Sequence, residues 1–141
     1  MVKVKLDNFN IRGKMSKKVY CIASFEAKDG KENELLEILQ ALEPKTIRED
    51  GCIQYIVTKQ ITHPNATGTS LPIVFNEIWE SQEAFELHCN KEYITSFFQN
   101  QCVDANGLVK KFNVCARSRQ IRRQLRRRRS AKSYRHRRHS A

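Results

Sequence analysis

Ile73-Val74-Phe75-Asn76-Glu77-Ile78-Trp79-Glu80-Ser81-Gln82-Glu83-Ala84-Phe85-Glu86-Leu87-His88-Cys89 changes its period in the middle. The first half is rich in β-branched and aromatic residues and reads as a strand, Ile73 to Glu80. Phe75, Glu77 and Trp79 then share one face, and Asn76 and Ile78 the other. Ser81 is a natural N-cap, and Glu83 suits the positive end of a helix. The spacing predicts a helix to about Cys89 or Asn90. On it, His88 is four residues from Ala84 and three from Phe85, so it lies on the apolar face.

Elements of both kinds extend on either side. Lys18 to Glu26 is apolar on both faces and predicts a buried strand. Asp29-Gly30 closes it. Lys31 to about Glu49 has helical spacing, with Leu35, Ile38, Leu39 and Leu42 in one stripe. Pro44 should interrupt this helix near Ala41, with Ile47 reaching the stripe if the helix resumes. Cys52 to Thr62 predicts a second strand, and His63 to Pro72 a polar loop. Its Asn65-Ala66-Thr67 has glycosylation spacing, read as chance. A further helical stretch runs from Lys91 to about Asp104, Asn106-Gly107 is a turn, and Leu108 to Cys115 predicts a fourth strand.

The order is β-α-β-β-α-α-β. It predicts an α+β fold of ferredoxin-like type, with an antiparallel four-stranded sheet and helices on one side. Strands this apolar on both faces predict a homodimer that closes its two sheets against each other.

Charge divides the 141 residues unevenly. Residues 116–141 hold 12 of the 26 Lys and Arg and no acid, so that segment carries +12 and residues 1–115 carry −1 of the net charge of +11. The expected domains are an N-terminal extension over 1–16, a neutral domain over 17–115 and a disordered Arg-rich tail over 116–141. Met15-Ser16-Lys17-Lys18 would make an ordinary start just before the first strand, as an alternative to Met1. The tail is either an extension without a role or a polyanion contact through residues 117–138, sequence-blind and salt-steep. No apolar run reaches membrane-spanning length, and no export signal is evident. The expected location is cytoplasmic. The five cysteines, Cys21, Cys52, Cys89, Cys102 and Cys115, lack metal-ligand pairing and are expected to be reduced, with Cys21 and Cys115 in the core. Cys89 is the one whose neighbour, His88, makes reactivity worth testing.

Glu77 and His88 can approach one another between sheet and helix, beside Trp79. A carboxyl among aromatics holds its proton near neutrality, and His titrates in the same range. The pair either handles protons in an apolar pocket or merely satisfies itself in the core.

Phe75-Asn76-Glu77-Ile78-Trp79-Glu80-Ser81, then Glu83-Ala84-Phe85 and His88, resembles the antibiotic biosynthesis monooxygenase family. Glu49, Gly51, Cys52 and Tyr55 match that family's common Glu-x-Gly-Cys-x-x-Tyr element. The resemblance covers about residues 17–115 and implies a dimeric α+β barrel. It implies a cofactor-independent monooxygenase acting on a quinol or other small aromatic substrate with O2, without metal. His88 and Glu77 would be catalytic, Glu77 orienting His88. Trp79, Phe75 and Tyr93 would bind substrate. Tyr93 stands where relatives often carry a second His. Tyr55 faces either core or pocket, and Ala23 stands where haem-degrading relatives place an Asn. Two other readings remain: an isomerase moving a proton α to a carbonyl, and a dimeric platform whose tail binds nucleic acid or acidic partners.

Overall fold

The structure, a computed structural model, describes residues 17–120. The extension over 1–16 and the tail beyond residue 120 lie outside the described residues. Four strands form one antiparallel sheet: β1 (Val19–Ala27), β2 (Cys52–Lys59), β3 (Ile73–Trp79) and β4 (Val109–Ser118), in the order β2-β3-β1-β4. Helices α1 (Glu32–Thr46), α2 (Gln82–Cys89) and α3 (Glu92–Phe97) connect them. A wide π-helical turn over Phe98–Val103 follows α3, carried by bonds such as Asp104 N–H to Gln99 O. This is the expected ferredoxin-like α+β fold.

Strand β3 alternates strictly. Ile73, Phe75, Glu77 and Trp79 are buried under the helices, while Val74, Asn76 and Ile78 face the other side. Val19, Cys21, Ala23 and Phe25 of β1 do the same. Register aligns these inward residues in rows across the sheet. Tyr55 of β2, Glu77 of β3 and Cys21 of β1 form one row; Val57, Phe75, Ala23 and Val114 form the next. Leu35, Leu39 and Leu42 from α1 close over the sheet, joined by Ile94 and Phe97 from α3.

Four expectations need correction. Helix α1 is not interrupted near Ala41 but continues through Pro44 to Thr46. Pro44 lies in the last turns, and the carbonyl it leaves unpartnered belongs to exposed Gln40, where water can satisfy it. Because the helix keeps its phase, Thr46 takes the inward position four residues past Leu42 and is fully buried, while Ile47 is exposed. Strand β2 ends at Lys59 rather than Thr62. Strand β4 runs on to Ser118, where Tyr20 pairs with Arg117 and Val19 with Ser118. The sheet therefore takes in three residues counted above with the tail. Cys115, expected in the core, is exposed, because it pairs with Ile22 on the face away from the helices.

Candidate active site

Floor and roof leave a cavity of about 230 Å³ between the inward rows of the sheet and the helices. Tyr55, Glu77, Cys21, Phe75, Ala23, Phe25 and Val114 line it from the sheet. Leu42, Phe85, His88, Cys89, Ile94, Phe97 and Phe98 line it from the helical side. Among the described residues, its charged or titrating groups of catalytic range are Glu77 and His88, and no Lys or Arg borders it.

His88 reaches this place because the Ser81 hydroxyl accepts the Ala84 N–H and starts α2 in the correct phase. Its ring is held on three sides. Trp79 lies across it at 4.5 Å between centroids and 33° between planes, and Tyr55 meets it edge-on at 5.3 Å. Glu49 Oε2 lies 2.8 Å from Nδ1. The other nitrogen, Nε2, lies 4.0 Å from Glu77 Oε1.

Glu77 is buried, and Trp79 Nε1–H donates to its Oε1 at 3.0 Å. Burial pushes its pKa up from 4.5 to about 7, against the hydrogen bonds from Trp79 and Cys21 that favour the carboxylate. Burial also lowers the pKa of His88, while the bond to Glu49 opposes that shift. Burial and the neighbouring Glu77 push Cys21 and Tyr55 above their ordinary ranges, so both stay protonated near neutrality. Burial raises Cys89 as well, so its proximity to His88 does not yield an activated thiolate.

Of the residues expected in the site, His88, Glu77 and Phe75 border the cavity. Trp79 and Tyr93 do not. Trp79 is fully buried beneath His88, with its indole N–H engaged by Glu77, so it supports the pair rather than walling a substrate. The Tyr93 hydroxyl donates instead to Glu49 Oε2, and Thr46 Oγ1 lies 3.1 Å from that hydroxyl. The carboxylate in hydrogen-bond contact with His88 is Glu49, on the Nδ1 side, whereas Glu77, expected above to orient the ring, stands 4.0 Å from Nε2. Tyr55 is both core and cavity wall. Among the described residues, no group of three or more His, Cys, Asp and Glu side chains is arranged to hold a metal ion. All five cysteines are free thiols.

The family model for antibiotic biosynthesis monooxygenases matches residues 18–100. The chain belongs to this family. A solved structure from Shewanella oneidensis is 32% identical, with 74% of this chain and 92% of that one covered and a TM-score of 0.62. One from Pseudomonas aeruginosa is 25% identical, covering 77% and 100%, with a TM-score of 0.60. A dabb family protein with a ferredoxin-like fold from Mesorhizobium loti shares the fold at 14% identity, 75% and 100% coverage and a TM-score of 0.60. No curated protein sequence gives a match. In this member of the antibiotic biosynthesis monooxygenase family, the strand β3 carboxyl of Glu77 and the α2 imidazole of His88 border one largely aromatic cavity. No helix of the described residues is long and apolar enough to cross a membrane.

Proposed function

We propose that this protein is a cofactor-independent monooxygenase that oxidises a quinol or a similar small aromatic molecule with O2. The observation that carries the reading is the placement of His88 Nε2 and Glu77 Oε1, 4.0 Å apart, on the border of an otherwise apolar cavity. A substrate hydroxyl oxygen can sit about 2.8 Å from both. His88, whose charged form burial disfavours, accepts the hydroxyl proton as a general base. The resulting electron-rich anion reduces oxygen directly, in a pocket that excludes water. The balance closes without another reductant. A quinol and one O2 give a hydroxyquinone and one water, the second oxygen atom leaving with two protons. Glu77, neutral up to about pH 7, is the proton donor on that side. The largely aromatic and aliphatic lining among the described residues suits a planar aromatic ring.

The test is oxygen uptake by the full chain over a panel of quinols and polyphenols, beside a His88→Ala control. Wild type should consume oxygen, and the control should fall about 10²-fold or more. A folded protein that consumes none, yet exchanges the proton α to a carbonyl in a ketone panel, would transfer the same pair to an isomerase.

A further inference from the structure

Only one of the two imidazole nitrogens can serve a substrate, and residues outside the cavity decide which. We propose that Glu49 and Tyr93 are positioning residues that hold His88 as its Nδ1–H tautomer, leaving the Nε2 lone pair facing the substrate. The inference rests on the reading of His88 as the base.

The hydrogen bonds run in one direction. A carboxylate oxygen accepts, so the proton between Glu49 Oε2 and His88 Nδ1, 2.8 Å apart, sits on the imidazole. The side chains of both residues are at most 8% exposed, so water does not compete for it. The Tyr93 hydroxyl donates to the same Oε2, leaving the neighbouring Thr46 hydroxyl to donate to the phenol oxygen. Glu49 is thereby fixed from one side by α3 and from the other by α2. It cannot swing away without breaking both bonds. Trp79 and Tyr55 prevent the ring from turning over.

Several groups face His88 from the packed elements. They are Cys21 from β1 and Cys89 on its own helix across the shared cavity, Tyr55 from β2, Glu77 from β3 and Lys91 ahead of α3, with Tyr93 on α3 standing behind Glu49. Among the described residues, Glu77 is the carboxylate placed to draw the proton to Nε2. It lies 4.0 Å away against 2.8 Å for Glu49, and its Oε1 already accepts from Trp79. Distance therefore favours Glu49 in the competition.

Nitrogen NMR of the full chain labelled with ¹⁵N-histidine reads the tautomer directly, near pH 8 where imidazoles are neutral. The His88 signals are those lost in His88→Gln. Wild type should show a protonated Nδ1 and an unprotonated Nε2. A protonated Nε2 in wild type overturns the assignment. Glu49→Ala should release the proton toward Nε2; a folded variant that keeps Nδ1–H also overturns it. Tyr93→Phe removes one hydroxyl from a half-buried position and should fold. It frees Glu49 to bind the imidazolium more strongly, so the His88 titration midpoint should rise, and an unmoved midpoint excludes Tyr93 from the arrangement. In turnover, Glu49→Ala should lower kcat about 10²-fold and Tyr93→Phe about three- to tenfold. KM should hold, since neither residue borders the cavity. The NMR arm needs no substrate. Failure of oxygen uptake would count against the proposed reaction and leave the tautomer result standing.

Discussion

Glu77 and His88 have pKa values that move toward each other, and this makes stability depend on pH in a way each residue predicts. The folded pKa of Glu77 is raised to about 7 from 4.5, chiefly by burial. Between those values the folded state binds more protons than the unfolded one. The contribution is therefore fully present below about pH 4.5 and is lost as pH rises through about 7, by roughly 3 kcal/mol. The folded pKa of His88 is lowered, so its contribution is lost in the opposite direction, as pH falls below 6.5. Thermal unfolding of wild type and Glu77→Gln across this range separates the two. The Gln variant should lose the decline between pH 5 and 8 and keep only the His88 rise. An identical decline in both proteins would place the cause elsewhere. Glu77 and His88 were legible in the sequence because each lies on an inward face set by a local period, two for the strand and 3.6 for the helix. Glu49 was not legible as a partner. It lies 39 residues from His88, beyond the end of α1, and no period connects them. The matching Glu-x-Gly-Cys-x-x-Tyr element marked its position without giving its contact. Trp79 and Tyr93 were misplaced for a related reason. Residue spacing gives the face of an element but not the depth of a side chain behind the wall.

The turn that brings Glu49 to α2 depends on one glycine. Gly51 has a φ of +82°, where L-residues with a side chain are strained. Its carbonyl accepts the Glu80 N–H at 2.8 Å, fastening the end of β3 to the start of β2. A Cβ at this position would fall 2.5 Å from the Cβ of Ala84, one helical turn before His88. The backbone conformation and the close approach thus position the helix that carries the base. Gly51→Ala should destabilise by roughly 2–4 kcal/mol, combining left-handed strain with overpacking against α2. Denaturant unfolding measures this, and a loss under 0.5 kcal/mol, within the ordinary range of surface substitutions, would mean that the turn relaxes without moving the helix. In the sequence, Gly51 stands just past the helical stretch, where a glycine commonly ends a helix in the left-handed conformation. That role accounts for its φ but not for the packing against Ala84, a contact between segments more than thirty residues apart. The Ser81 cap, by contrast, was legible because cap and acceptor bond are local. The Pro44 expectation failed because a proline's cost depends on what surrounds the carbonyl it orphans, and here that carbonyl belongs to an exposed residue near the helix end.

On the scale of the molecule, one sheet face lacks a cover. The helices bury the Phe75–Glu77–Trp79 side. The opposite side presents Tyr20, Ile22, Ile56, Val74 and Ile78, with Ile22 39% and Ile56 47% exposed. These residues stand close together through register, Ile22 and Ile56 both pairing with Asn76 from opposite edges of β3. A face with this many unburied apolar side chains, interrupted by Asn76 between Ile22 and Ile56, is unfavourable in water and suits a second apolar surface. An identical sheet face is self-complementary about a two-fold axis, which fits a homodimer closing sheet on sheet. Members of the family are typically dimeric. Light scattering on the eluting full chain should therefore give twice the 16.5 kDa chain mass. Ile22→Asp combined with Ile56→Asp should give the monomer mass with the helix and strand content unchanged. Both side chains point away from the cavity, so the substitutions leave its lining intact. A monomer in wild type at micromolar concentration would leave the apolar face to a different partner. A double variant that stays dimeric would move the interface off this face altogether. The alternation of the strands predicted that two faces exist. Which face the helices take followed from the order of the elements, but what covers the other is a property of two chains, and a single sequence expresses it only as unburied apolar residues.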